Sequence, residues 1–179
     1  KNIPDLAYAL GLCRKDNKSA KEIHFERKFK ISDNFNFYPN IDSLILNKEN
    51  EKIKALGIEC KYSEAYSSRN HLGLKVRYLT DITEQWKDIP NLLYLAKSIC
   101  PEDKYFKHLY PAQLLKHILG LKKRYSKSGF RLLYLWYDVP GKDGCRHRSE
   151  IDEFAKTAKN DSIKFHSMSY QELITKLKK

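Results

Sequence analysis

Closely spaced cysteines are missing from this chain. The four it has, at positions 13, 60, 100 and 145, stand at least 40 residues apart, whereas a zinc loop needs ligands a few residues apart to wrap one ion. A structural zinc site is therefore not expected. No charged n-region followed by an apolar h-region opens the sequence, so the thiols are read as unpaired in a reducing cytoplasm. Long apolar runs are lacking too: the longest, around Leu132 to Tyr137, falls far short of the ~20 residues of a membrane helix, so no membrane is expected as partner. Glycine and proline are few, seven and six among 179 residues, which excludes a collagenous or linker-like chain. There is no repeat and no low-complexity tract. The chain opens on Lys1 rather than Met, as an N-terminally truncated segment would.

What remains is an ordinary globular composition with a one-sided charge. Hydrophobic residues make up 41% of the chain, enough for a core, and the length suits one domain, so residues 1–179 are expected to form a single domain. Lys and Arg number 34 against 22 Asp and Glu, a formal charge of +12. Such a surplus says nothing of the fold. It makes a polyanion the first partner to consider, ahead of acidic small molecules or an anionic membrane surface.

Hydrophobic periodicity orders the elements. Ile3, Leu6, Ala7 and Leu10 share a helical face that stops near Gly11. From Glu22 the period becomes two, through Ile23, Phe25, Phe29 and Ile31, which predicts a strand, with an Asn/Asp-rich bend at Ser32 to Asn36 after it. Ile41 to Leu46 and Ile53 to Glu64 make the two strands of a hairpin across the charged turn NKENEK. Helical spacing returns over Ile82 to Lys97 around Pro90. A long amphipathic helix is predicted from about Asp103 to Ser126, buried through Phe106, Leu109, Tyr110, Leu114, Leu115, Ile118, Leu119 and Leu121. The run FRLLYLWYDV reads as a strand buried on both faces and GKDGCRHR as a loop. A helix capped by Ser149, a last strand over Ile163 to Met168 and a closing helix over Tyr170 to Leu177 follow. A helix, a meander of strands and then β-α-β-α point to an α/β sandwich with a central mixed β-sheet flanked by helices.

The chemistry concentrates in the hairpin. Side chains two apart on a strand share a face, so Glu59 and Lys61 project together while Ile58, Cys60 and Tyr62 turn the other way. Asp42 opens the neighbouring strand, and antiparallel pairing would set its carboxylate across from Glu59. Two packed carboxylates resist ionisation unless a cation neutralises them, which makes the cluster a candidate for a hard divalent ion such as Mg²⁺. An ammonium beside that ion can hold and help deprotonate a water, while the metal stabilises charge on a phosphate oxygen.

The pattern PNID, sixteen residues, then ECK resembles the PD-(D/E)XK nuclease superfamily, whose signature is an acid at the start of one strand followed by acid-x-lysine on the next. The continuation ECKYSEAY, a helix opening PAQLLKH and the strand FRLLYLWYDVPG is similar to a bacterial restriction-endonuclease-like group, over roughly residues 36 to 175. The resemblance implies a restriction-endonuclease-like sandwich and a Mg²⁺-dependent endonuclease, with Mn²⁺ as a substitute, that hydrolyses DNA phosphodiester bonds; RNA stays open as a substrate. It implies Asp42, Glu59 and the backbone carbonyl of Cys60 as metal ligands. Lys61 would position the nucleophilic water or steady the developing charge, and Gln113 would orient the lysine, water or phosphate. His117, one turn further on the same helix face, could reach the same phosphate. The sequence departs from the pattern at Pro39, three residues before Asp42 instead of beside it. The Glu that many members take from an N-terminal helix has only weak counterparts in Glu22 and Glu26. Two cuts in a duplex would favour a homodimer.

Plainer readings stand beside these. Glu59 and Lys61 fit an ion pair on a solvated strand face, Asp42 a turn residue, Gln113 an exposed helix residue, and His117 a partly buried one with no catalytic role. Among the basic clusters, those best suited to phosphate contact are Lys122, Lys123 and Arg124 at the end of the long helix and Arg146 and Arg148 in GKDGCRHR. Such contacts give salt-sensitive affinity without sequence information. The alternative function is a nucleic-acid-binding domain with a nuclease-like fold and no cleavage activity, against which the intact acid, acid-x-lysine set argues. An unrelated basic α/β domain that binds protein or RNA is the third.

Overall fold

A computed structural model of the chain describes residues 2–33, 35, 38–67 and 72–178. Its centre is a five-stranded sheet in the order β1-β2-β3-β4-β5, formed by Ala20–Lys28, Asn40–Asn47, Ala55–Lys61, Phe130–Trp136 and Phe165–Ser169. The first three strands make an antiparallel meander, and β4 and β5 add to β3 in parallel. Around the sheet lie α1 (Ile3–Ala9), α2 (Arg77–Thr80), α3 (Pro90–Ser98), α4 (Pro111–Tyr125), α5 (Lys142–Asn160) and α6 (Tyr170–Leu177). This is the mixed-sheet α/β sandwich that the order of elements predicts, and it is consistent with the restriction-endonuclease-like sandwich that the resemblance implies.

Strand alternation divides the apolar residues between two cores. Phe130, Leu132, Tyr134 and Trp136 of β4 join Ala55 of β3 against Leu115 and Ile118 of α4 and Phe154 of α5. Leu56, Ile58, Leu133 and Leu135 turn to the opposite face and pack with Ala7 of α1 and Leu173 of α6. A parallel strand covered on both sides needs an almost continuous apolar sequence, which is why FRLLYLW shows so little polar alternation. Gly57 sets how closely α4 approaches β3. A Cβ there would lie 2.6 Å from Ile41 Cδ1 and 3.1 Å from Leu121 Cδ1, so a bare backbone lets the helix settle directly over the strand that carries Glu59.

Three expectations change. The helix predicted from Asp103 begins only at Pro111, because proline at the first helical position pushes its predecessor out of the helical region; Tyr110 sits at φ −107°, ψ 80°. Upstream, carboxylates take the N–H groups that a helix would have used. Asp103 Oδ1 accepts from Tyr105 and Phe106, both at 3.0 Å, and buried Glu150 of α5 accepts from Lys107, His108 and Leu109 at 2.8, 2.8 and 2.9 Å. Phe106 and Leu109 still reach the core, so burial there follows a helical spacing without a helix. Second, GKDGCRHR is not a loop: α5 starts at Lys142 with Gly141 as its N-cap, and the polarity of its first turns hides it from periodicity. Third, β1 ends at Lys28, leaving Phe29 and Ile31 buried beyond it and Phe25 68% exposed on it. The bend expected at Ser32 to Asn36 lies partly outside the described residues. No helix among the described residues is long and apolar enough to cross a membrane.

Candidate active site

The register of β2 on β3 runs from Leu46 opposite Ala55 to Ser43 opposite Ile58. One step further brings Asp42 across from Glu59. There the ladder ends, and the Asp42 side chain takes up the next donor: its Oδ2 accepts from the Cys60 N–H at 2.6 Å. Glu59 is wholly enclosed, at 0% exposure. Its Oε1 lies 2.7 Å from Lys61 Nζ and its Oε2 2.8 Å from His117 Nε2. Short as they are, these contacts lack hydrogen-bond angles, so both Glu59 oxygens and both His117 ring nitrogens have no aligned partner among the described residues. Buried polar atoms are normally satisfied, and each one left over has a cost that a further ligand can relieve.

The two acids are driven apart in acidity. Burial and then the charge of Glu59 push the Asp42 carboxyl up, against the pull of the Cys60 N–H, Lys61 and His117. Burial alone would raise Glu59 as well, but His117 and Lys61 together hold it below the usual carboxylate value. Burial would lower Lys61; Glu59 and then Asp42 outweigh it, so its ammonium is held above the ordinary lysine value. One carboxylate is thus firmly ionised and its neighbour reluctant, the usual outcome when two acids share a site.

The donor set fits a hard cation. The carboxylates of Asp42 and Glu59, with the Cys60 main-chain carbonyl, are all oxygens, and Mg²⁺ is commonly held by one or two carboxylates with water filling the rest of its shell. Among the described residues no three His, Cys, Asp or Glu side chains gather around one cation position, so carbonyl and water ligands would have to complete the shell. Of the two candidates for a further acid, Glu22 is at the surface with Lys21 and His24. Glu26 lies across from Asp42 in the β1–β2 register, between the pairs Phe25–Ser43 and Arg27–Ile41, and accepts from Asn40 Nδ2.

A family model described as restriction endonuclease associating with ARP matches residues 4–179. The chain belongs to that family. No curated protein and no solved structure matches it. For a member of this restriction-endonuclease family a nuclease-like role and DNA as partner are the general expectation.

The remaining sequence-predicted residues of this restriction-endonuclease family member do not all converge. Gln113 lines a pocket beside the site, and it is His117, not Gln113, that makes the contact with Glu59. His117 is only 1% exposed, and its Nε2 is turned to the Glu59 carboxylate at the wall of that pocket. Lys122, Lys123 and Arg124 sit at the other end of α4: His117 meets Glu59 while Leu121 already lies over Gly57, so the basic run continues toward the start of β3, away from the site. Arg146 and Arg148 are at the end of the sheet where Lys61 lies beside Trp136. They are exposed but engaged, Arg146 with Glu150 at 2.9 Å and Arg148 with Asp138. Sequence reasoning missed the layer beneath. Tyr134 is Glu59's neighbour in the β3–β4 register, its hydroxyl is 3.0 Å from His147 Nε2, and His147 Nδ1 is 2.9 Å from the Tyr66 hydroxyl, which donates to the Tyr137 carbonyl at 2.8 Å. His147 lies between the exposed Arg146 and Arg148, yet it is 0% exposed, because successive residues of a helix project about 100° apart.

Proposed function

We propose that this member of the restriction-endonuclease family is a PD-(D/E)XK nuclease, a Mg²⁺-dependent endonuclease hydrolysing DNA phosphodiester bonds, with residues 1–179 as one nuclease-like domain. The observation that carries the reading is the meeting of Asp42, Glu59 and Lys61 at the end of β3, with Asp42 and Glu59 opposite one another and Lys61 2.7 Å from Glu59. Asp42, Glu59 and the Cys60 carbonyl would hold the ion. Bound there, Mg²⁺ supplies a more acidic water and charge neutralisation at the scissile phosphate. The chain's own groups do the rest. Glu59 and Asp42 hold the Lys61 ammonium above the ordinary value in the metal-free protein, and Lys61 acts as a cation that orients the attacking water or meets the developing oxyanion. His117 stands 2.8 Å from Glu59 on its other oxygen, and Gln113 reaches the phosphate from the adjoining pocket.

Cleavage of plasmid and oligonucleotide DNA with Mg²⁺ or Mn²⁺, measured for the parent and for Glu59→Ala and Lys61→Ala, tests this reading. Loss of cutting in both variants is expected; undiminished cutting in both would sink it. A second reading, binding without cleavage, is favoured by the pairing of Glu59 with Lys61 and His117, which already neutralises the buried carboxylate. It predicts salt-sensitive DNA binding that metal does not turn into products. If the enzyme cuts both strands of a duplex, a homodimer is the simplest assembly that presents two such sites.

A further inference from the structure

Beside the site, where the chain enters β2 and passes under α2 and α4, lies a hollow of about 350 Å³. Tyr38, Tyr78, Tyr110, Gln113, Lys116 and His117 line it. A smaller hollow shares Tyr78 and Lys116 and adds Phe35, Lys75 and Arg77. The described residues that line the two hollows include three cationic side chains and no carboxylate. Lys116 is the centre of this region. Its ammonium sits 5.5 Å from the centroid of the Tyr78 ring and 6.0 Å from that of Tyr110, and burial first, then the neighbouring charge of Lys75, pull it below the usual lysine value, with no acid to oppose them. Arg77 lies 4.2 Å from the centroid of the Phe35 ring. A half-buried ammonium held by ring faces and crowded by a second cation is costly to keep; an anion arriving with a ligand would meet that demand.

We propose that this groove binds an unpaired nucleotide of a DNA strand, with the base against the ring faces of Tyr38 and Tyr110 and the adjoining backbone phosphate on Lys116, supported by Lys75 and Arg77. The inference deepens the nuclease reading and rests on it, since it names the form of substrate the site receives. Three features select that occupant. Ring faces interleaved with cations are what a single strand meets, because every base has a face to stack and every step a phosphate. The hollow is near the lower end of the about 300–1,000 Å³ of small-ligand sites, room for one splayed nucleotide and not for a paired helix. Finally, His117 belongs both to the wall of the groove and to the contact with Glu59, at 2.8 Å, so a strand lying there carries a phosphate next to Asp42, Glu59 and Lys61. Tyr38 is 37% exposed, which leaves its ring open to a base.

Binding is measured without metal, by fluorescence anisotropy, for a labelled single-stranded DNA and for the same sequence as a duplex, with the parent, Tyr38→Ala and Lys116→Ala. The single strand is expected to bind more tightly than the duplex. Tyr38→Ala should weaken it roughly fivefold to hundredfold, the range of one lost stacking contact, and Lys116→Ala should lower the slope of log affinity against log salt by about 0.7, one phosphate contact on a single strand. Equal or tighter duplex binding, or both variants staying within twofold of the parent on the single strand, overturns the proposal. Because no metal is present, the groove is judged separately from catalysis. Selective single-strand binding without any metal-dependent cutting keeps the groove and removes the nuclease reading, whereas metal-dependent cutting with no single-strand preference does the reverse.

Discussion

Two lysine positions on α4 stand in opposite circumstances. At its C-terminal end Lys122 donates to the Gln85 carbonyl at 2.9 Å and lies 2.7 Å from Asp88, and Lys123 is 3.9 Å from Asp33. Less than two turns earlier, Lys116 has two tyrosine rings and another lysine for company. In the sequence the first group is the conspicuous one, a run of Lys122, Lys123 and Arg124, while Lys116 stands alone. A cation already matched by a carboxylate has little left to offer a phosphate. On the groove reading proposed above, the isolated lysine is the stronger anion site.

The harshest test removes a partner outright. Glu59→Ala leaves Lys61 and the buried His117 with Asp42 as the remaining carboxylate of the site, and breaking a buried pair from one side costs about 3–5 kcal/mol. Denaturant unfolding should show a loss of that order, together with the end of metal-dependent cleavage. A variant as stable as the parent would mean that the Glu59 contacts hold nothing in place. Next comes Lys116→Met, which should raise stability while flattening the salt dependence of single-strand binding by about 0.7 per log unit. The opposite signs follow from the charged form being disfavoured in the fold, so a neutral side chain relieves the protein and deprives the ligand. Its counterpart, Lys122→Met, should cost about 0.2–1 kcal/mol, the value of a partly exposed pair, and leave oligonucleotide affinity unchanged. Should Lys122→Met weaken binding more than Lys116→Met, the contrast between the two positions is wrong.

The smallest effects appear with pH and carry signs of their own. Glu59 is held below its ordinary value of 4.5, so its stabilisation is complete above that pH and is lost as pH falls through the lower folded value. Lys61 is held above 10.5, so its share is complete below pH 10.5 and is lost as pH rises through the higher folded value. Lys116 runs the other way: its penalty is full below its depressed folded value and gone above 10.5. The stability advantage of Lys116→Met should therefore shrink as pH approaches 10.5, a trend that denaturant midpoints at several pH values will show or exclude.

Much of the framework was legible because it rests on local pattern. The hairpin of β2 and β3, the doubly buried β4 and the closing β5–α6 pair all follow from period and turn chemistry. The start of α4 was misread because Phe106 and Leu109 keep a helical spacing while Glu150, far along the chain, supplies the acceptor for their stretch of backbone. The start of α5 was missed because its first turns bury only Gly144 and His147, too few apolar residues to set a period. Of the candidate site, the opposition of Asp42 and Glu59 could be counted from the hairpin, but nothing local shows that His117 turns inward to Glu59.

Residue order alone therefore determined the mixed sheet, the strand that carries Glu59 and Lys61 on one face, and the surplus of positive charge, since each depends on neighbours within a few residues or on simple counting. Tertiary structure decided which charges have partners. Those partners arrive from distant segments: His117 from α4 onto β3, Asp88 onto Lys122, Glu150 onto the chain before Pro111. Coulomb interactions depend on distance in space and on exclusion of water, and neither is written in the spacing of residues along the chain.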